Sequence, residues 1–303
     1  MCIADHVWNT NLMILDIALP FHGDVKMFKE SVQSVLSQSS NSWRLLIIND
    51  AHPDLEVDQW ITDLKDARIR YIRNTKNLGP SLNYSKCIEL IPGSHCLIFG
   101  ADDILSRDYV EKVILAISLH PNSDFYHPRV AVIDQAGNEY LPIVDKLKNI
   151  LTPMDSKVLE LRAKNVLPTL MTGNWMYFPA ITWKVETVRK FGFRSDLNVC
   201  QDIWLIAQIL LSGGKLSLIP ETLFRYRRFS GSDSSVKLLN GVRFAEEKIV
   251  FNELAAQMLK SKMFISALSA RAHLTSRLHA LSLLPRAMKM RQNPIPCLKH
   301  LLT

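Results

Sequence analysis

Over the first hundred residues, short apolar runs alternate with segments of helical period. Met13 to Leu19 is apolar and β-prone except at Asp16, and it stops at Pro20. Gly23 to Ser37 carries Val25, Phe28, Val32, Val35 and Leu36 at helical spacing. Trp43 to Ile48 is a second apolar strand, ending in Asn49-Asp50. Leu55 to Lys65 has the period of a short helix, and Ile69 to Ile72 reads as a third strand. Asn77-Leu78-Gly79-Pro80 is a turn, and Pro80 suits the first helical position of Ser81 to Leu90. His95 to Phe99 is the fourth strand; the acidic pair Asp102-Asp103 follows, then a helix from Ser106 to Leu119.

Strands alternating with helices predict parallel pairing in a doubly wound α/β sheet. Ligands of such sheets bind beyond the carboxyl ends of the strands. Pro20, Asp50 and Asp102-Asp103 all fall at such ends, so three polar features separated in sequence are expected on one rim.

The middle of the chain is less regular. Asp124 to Val132 with Asp134 to Asn138 predicts a hairpin, and Val144 to Leu151 fits more than one element. Thr172-Gly173-Asn174 is a polar turn before Trp175, Tyr177 and Phe178. Asp202 opens a strongly apolar helix that runs to about Leu211 and ends at Gly213-Gly214. Lys215 to Tyr226 holds a last strand, followed by Arg227, Arg228 and a loop from Phe229 to Asp233. Beyond Lys237 the chain is helical, basic and leucine-rich until Pro294 and Pro296.

Composition narrows the classes. At 303 residues, 48% hydrophobic and 21% charged, the chain suits a globular protein: one large domain, or one domain with an extension. Its longest apolar candidate for a membrane span, Ile203 to Leu211, is about half the length a spanning helix needs. MCIADHVWNTN lacks the basic start and apolar core of a secretory signal. The five cysteines are scattered and lack metal-ligand spacing, which predicts reduced thiols and a cytoplasmic setting. From Arg243 onward ten Lys and Arg face three Glu, so this stretch carries the whole net charge of +7. That asymmetry suits an anionic partner, a membrane surface or nucleic acid, and equally a solvated basic helix face. Without aromatic interleaving or a recognisable motif, nucleic acid is not the expected partner.

Four carboxylates stand where chemistry is plausible. Asp102 and Asp103 repel each other unless a hard cation joins them, and magnesium typically takes one or two carboxylates plus phosphate oxygens. Ser106 looks like the better cap of the following helix, which leaves the pair without a capping duty. Pattern alone leaves a metal site and a solvated turn equally open. Asp50 suits either a ligand contact or the turn Asn49-Asp50-Ala51-His52-Pro53. Asp202 suits a helix start, or a general base if a substrate hydroxyl lies within reach. His22 and His52 receive no role. Trp175 and Tyr177 read as core residues, although an aromatic beside Gly173-Asn174 could stack on a sugar.

These features occur in an order that resembles the family-2 glycosyltransferases, from Ile14 to about Ser235. The strand ending at Pro20 comes first, followed by Ser34-Val-Leu-Ser-Gln38, Leu46-Ile-Ile-Asn-Asp50, Arg68-Ile-Arg-Tyr71 and Asn77-Leu-Gly79. Ala101-Asp-Asp103, Gly173-Asn174, Gln201-Asp202 and Tyr226-Arg227 with Ser230-Gly-Ser232 complete it. The resemblance implies a GT-A-type doubly wound sheet, mixed but mainly parallel, with a helical C-terminal extension. It divides the chain into a transferase domain over 1–236, with a nucleotide-binding half at about 12–120 and an acceptor half at about 121–236, and a basic extension over 237–303.

It also implies roles. Asp50 would hold the nucleotide base in a pocket lined by Pro20 and Phe21, and Asn77 and Gly79 would belong to the same nucleotide-sugar site. Asp102 would lie near the ribose and metal, Asp103 would ligate a divalent cation, magnesium or manganese, and Arg227 would face the diphosphate. Asn174 and Trp175 would meet the acceptor, and Asp202 would be the catalytic base. The reaction implied is inverting transfer from a nucleotide sugar, a UDP-sugar foremost, to a glycan or lipid-linked glycan acceptor; the alternatives are a catalytically inactive binding or scaffold protein of the same fold and, further off because only Gly23 stands near Pro20, a sugar nucleotidyltransferase. Cell-surface glycan assembly in bacteria is the setting it implies. The basic extension would hold such an enzyme peripherally on the anionic inner membrane face. The pattern departs from the family at His22 and Gly23, which replace a frequent Tyr-Asn pair, and at Gly100, where some members carry another acid. Phe229 stands in the place of a frequent histidine.

Overall fold

The computed structural model describes residues 13–153, 156–197, 199–229, 242–272, 274–278 and 280–281. Strand and helix alternate at first: β1 (Leu15–Phe21), α1 (Val25–Leu36), β2 (Trp43–Asn49), α2 (Glu56–Asp63), β3 (Ile69–Arg73), α3 (Pro80–Leu90) and β4 (His95–Ile98). Each lies within a residue or two of the segment its periodicity predicts. Asp24 caps α1 by accepting from the Met27 N–H at 2.8 Å. Pro80 occupies the first turn of α3, where its missing N–H costs nothing.

The order then departs from simple alternation: β5 (Ile104–Leu105), α4 (Tyr109–Leu119), β6 (Phe125–Ile133), α5 (Ile143–Leu151), β7 (Leu159–Arg162), α6 (Ala163–Thr172), β8 (Thr182–Lys184), α7 (Val185–Phe191), α8 (Gln201–Leu211) and β9 (Lys215–Arg227). Two helices, α9 (Val242–Lys260) and α10 (Phe264–Ala272), follow. The ambiguous Val144–Leu151 stretch is helical. The predicted hairpin after β6 shrinks to a single Ile133–Glu139 bridge closed by Asp134 and Asn138. The strand after β6 pairs elsewhere.

One sheet runs β3-β2-β1-β4-β8-β6-β9-β5, with β7 also on β9. The β3-β2-β1-β4 portion is parallel, as are β6 and β9, while β8 pairs antiparallel with both β4 and β6. The sheet is thus mixed, with helices on both faces. On one face Phe28, Val32, Val57 and Tyr109 pack from α1, α2 and α4; on the other Cys87, Val166, Ile206 and Leu254 pack from α3, α6, α8 and α9. The described part of the basic C-terminal stretch therefore shares this core; the expected 236/237 boundary lies outside the described residues.

Asp16, the polar break in β1, is 3% exposed and satisfied in full: Arg44 donates to both oxygens at 2.7 and 2.9 Å, and the Gly93 N–H adds a bond at 2.8 Å. Burial nevertheless raises its pKa. Cys87, Cys96 and Cys200 are free and buried, and burial raises each thiol pKa. Among the described residues, no helix is long and apolar enough to cross a membrane.

Candidate active site

The carboxyl ends of β1, β2 and β4 form one rim, as predicted. Asp50 follows β2, its N–H donating to the Phe21 carbonyl at 2.7 Å. Its carboxylate accepts from the Leu78 N–H (2.9 Å), the Gly79 N–H (3.0 Å) and the Asn74 amide (2.7 Å). Asp50 thereby ties the turn before α3 to the end of β2. Asn77 braces that turn by accepting from the Gly79 N–H at 2.8 Å, and Gly79 takes φ +79°, where a side chain is disfavoured. Phe21 departs from its expected place as a pocket wall. Its ring is buried, stacked on Phe28 and His52 at 4.1 and 4.8 Å, so Pro20 and the two histidines His22 and His52 remain nearer the surface.

The acidic pair lies between two strands, not between a strand and a helix. Ser106 does not cap α4; its hydroxyl donates to the Thr222 carbonyl, and Asp108 is the N-cap residue, with no side-chain capping bond among the described residues. The two-residue strand β5 separates the acids from the helix and pairs with Phe224 and Arg225 of β9. That pairing brings Arg227 to the turn. The Arg227 N–H donates to Asp103 Oδ1 at 2.8 Å, its Nε to the Asp102 carbonyl at 2.7 Å, Nη1 to the Gln135 carbonyl at 2.8 Å, and Nη2 to Glu30 at 2.6 Å. Arg227 is 2% exposed. Its guanidinium is turned into the protein, where these contacts occupy it rather than leaving it open for the diphosphate contact that the resemblance assigns to it.

Asp103 is 1% exposed, and its Oδ2 has no hydrogen-bond partner among the described residues. Both carboxylates close over Gly100, where a Cβ would stand 2.3 Å from Asp103 Oδ2 and 3.2 Å from Asp102 Oδ1. Burial raises both pKa values, and for Asp103 the neighbouring Asp102 charge adds to the rise while Arg227 opposes it. An orphaned buried oxygen beside a second carboxylate fits a hard divalent cation. Two protein carboxylates match the ligand share that magnesium draws from a protein when phosphates supply others. Among the described residues, no group of three or more His, Cys, Asp or Glu could hold a metal by itself.

Across the sheet, Asp202 lies in the first turn of α8. Its Oδ1 accepts from the Ile203 N–H at 2.7 Å, and its Oδ2 from the Asn174 amide at 3.2 Å. Burial raises its pKa, opposed by those two bonds and by the charges of Lys148 and Arg243. Asn174 and Asp202 are therefore in direct contact, and Asn174 Oδ1 is buried without a hydrogen-bond partner among the described residues. Trp175 is not an open platform: it is 1% exposed, and its indole N–H donates to Thr169 at 3.2 Å. It backs the Asn174 turn from within the core.

Several residues here escaped sequence reasoning. On α5, Asp145 is fully buried and accepts from the Tyr177 hydroxyl at 2.6 Å and from Arg228 at 2.8 Å. One turn on, the Lys148 ammonium lies 4.0 Å from the Tyr177 ring centroid, and burial followed by repulsion from Arg228 lowers its pKa to about 7. His127 accepts from the Tyr177 N–H at 3.0 Å and is kept neutral, its pKa lowered to about 3 by burial. The one available signal was the i, i+3 spacing of Asp145 and Lys148 in an amphipathic segment.

Residues 16–185 match the sequence description of Glycosyl transferase family 2. The chain belongs to the family-2 glycosyl transferases. Among its relatives is an uncharacterized glycosyltransferase of Methanocaldococcus jannaschii, MJ1057, 26% identical over 67% of this chain and 66% of its own length. Abequosyltransferase RfbV of Salmonella typhimurium is 29% identical over 38% of this chain and 35% of its own. This glycosyl transferase thus spans about two thirds or less of these relatives. In fold it is similar to S. aureus TarS, solved in complex with UDP-GlcNAc, with a TM-score of 0.64 at 14% identity over 82% of this chain and 67% of that one. The family's α/β architecture is what the sheet order above displays.

Proposed function

We propose that this chain is an inverting glycosyltransferase that moves a sugar from a nucleotide donor, a UDP-sugar foremost, to a hydroxyl of a glycan or lipid-linked glycan. The observation that carries this reading is the pairing of two desolvated carboxylate sites, Asp102-Asp103 and Asn174-Asp202, within one family-2 fold. Relatives named for abequose transfer and for colanic acid biosynthesis support a role in polysaccharide assembly. The setting is the cytoplasm, at the inner face of the membrane.

On the donor side, the loop clamped by Asp50 would carry the base and ribose contacts, with Pro20, Asn77 and Gly79 at its edge. Asp103 and Asp102 would hold magnesium or manganese, which when bound supplies Lewis-acid neutralisation of the leaving diphosphate. Arg227 acts here as a positioning residue: it fixes the Asp103 carboxylate through its backbone N–H and the turn through its guanidinium. On the acceptor side, Asp202 would take the proton of the attacking hydroxyl while Asn174 holds its second oxygen. The new glycosidic bond forms as the bond to the nucleoside diphosphate breaks, and a single displacement from the opposite face inverts the anomeric carbon.

A panel of nucleotide sugars assayed with magnesium or manganese tests the reading. The expectation is metal-dependent turnover that Asp103→Ala and Asp202→Ala each lower by at least about a hundredfold. Unchanged turnover in both variants would overturn the site assignment. UDP binding measured by calorimetry should strengthen when metal is added.

A further inference from the structure

Helix α10 is amphipathic in the wrong sense for a helix held by its own core. It turns Ser266, Ala267 and Ala270 inward and leaves Phe264, Ile265 and Leu268 outside at 66, 72 and 70% exposure. These three lie at the tip of the α9–α10 hairpin, beside Lys262, which takes φ +59° to reverse the chain. Large apolar side chains grouped at a protruding turn mark contact with an apolar partner.

Charge identifies the partner. After Glu253 the chain carries eight Lys and Arg and no acid. Lys260, Lys262 and Arg271 are exposed around the apolar group, and α6, which packs on α10, adds exposed Lys164 and no acid. The acids of α9 are engaged elsewhere: Glu247 with Arg243, Glu253 with Arg194, and Glu246 with the N–H groups of Val199 and Cys200. An apolar wedge ringed by cations matches a bilayer, where acyl chains lie beneath anionic headgroups.

Position agrees with charge. Beyond α10, the Thr275 hydroxyl donates to the Thr172 carbonyl at 2.6 Å, and a Cβ on Gly173 would meet both Thr275 and Leu151. The same C-terminal helical region therefore braces the turn that presents Asn174 to Asp202. We propose that the α9–α10 tip docks on an anionic lipid bilayer, with Phe264, Ile265 and Leu268 entering the acyl region and Lys260, Lys262 and Arg271 meeting lipid phosphates. The acceptor half would then face the membrane, and this consequence, unlike the docking, rests on the proposed transfer to a lipid-linked glycan.

Flotation of the full chain with vesicles provides the test. Partitioning onto phosphatidylcholine mixed with phosphatidylglycerol should exceed that onto phosphatidylcholine alone by about tenfold or more, and salt should weaken it. Phe264→Ser/Ile265→Ser/Leu268→Ser changes only exposed side chains. It should keep the melting temperature of the parent and lose about tenfold or more in partitioning. Wild-type protein that stays unbound, or a triple variant that floats equally well, overturns the proposal. A dimer in light scattering that the triple variant abolishes, without flotation, would assign the face to a second copy instead. Flotation gained only when the chain is cut after residue 281 would assign it to the chain's own C-terminus. A chain that floats but transfers no sugar would refute the enzymatic reading and leave the docking intact.

Discussion

Gly100 sets how closely two carboxylates can approach one backbone atom. A methyl group there would stand 2.3 Å from Asp103 Oδ2, while Oδ1 is held by the Arg227 N–H, so the carboxylate has no free rotation with which to yield. Gly100→Ala should therefore lower turnover by about tenfold or more, blunt the metal-dependent gain in UDP binding, and cost about 1–3 kcal/mol of stability, read as a lower melting temperature. The same spacing explains why an added acid at this position would need a different turn. At Asp202 the relevant quantity is charge. A base must be ionised to act, and burial raises the Asp202 pKa, so the acidic limb of kcat/KM should lie above the pH of an ordinary carboxylate. Lys148 favours the ionised form, so Lys148→Met should shift that limb to higher pH while leaving the rate on the alkaline side of the limb nearly unchanged. A pH profile of the two proteins checks the sign.

Strand β5 is two residues long, yet it determines what surrounds the acidic pair. Its pairing with β9 sets Arg227 against Asp103, so Arg227 ties α1, the acidic turn and the loop after β6 through Glu30, Asp102 and Gln135. Arg227→Met removes the cation and strands these acceptors. A loss of about 3 kcal/mol in urea unfolding is expected, a moderated figure because Glu30 remains partly solvated. At the end of β2, Ala51 adopts φ +56°, which is unfavourable for any residue with a Cβ. Ala51→Gly should stabilise the fold by about 0.5–1 kcal/mol, measured by the same titration. The elements around these sites were unequally legible. Helices α1 and α8 announce themselves by their apolar spacing and α3 by Pro80 after its turn, whereas β5, β7 and β8 have two to four residues and no alternation to mark them. Ser106 caps a helix only if Ile104-Leu105 is loop; paired with β9 as β5, those residues set the Ser106 hydroxyl against the Thr222 carbonyl instead.

Over the whole molecule, two histidines make stability depend on acid. Burial lowers the pKa of His95 to about 4 and of His127 to about 3, so the folded protein keeps both neutral where the unfolded chain protonates near 6.5. Between about pH 6.5 and 4 the unfolded state binds more protons, so stability falls as pH falls, by up to about 1.4 kcal/mol per pH unit for each histidine. Urea midpoints across that range should show the slope, and His127→Gln should reduce it. The sequence alone determined the alternating first third, the rim at the ends of β1, β2 and β4, and the ordered acids that mark the family. These follow from local period, turn chemistry and spacing, which need no partner. Tertiary structure decided which way each side chain points: Arg227 and Trp175 inward, Asp202 onto Asn174, and Lys148 and Asp145 beside them from a helix that the pattern left undefined. Those arrangements arise from pairings between segments up to about two hundred residues apart, such as Glu30 with Arg227, and no local pattern records such a pairing.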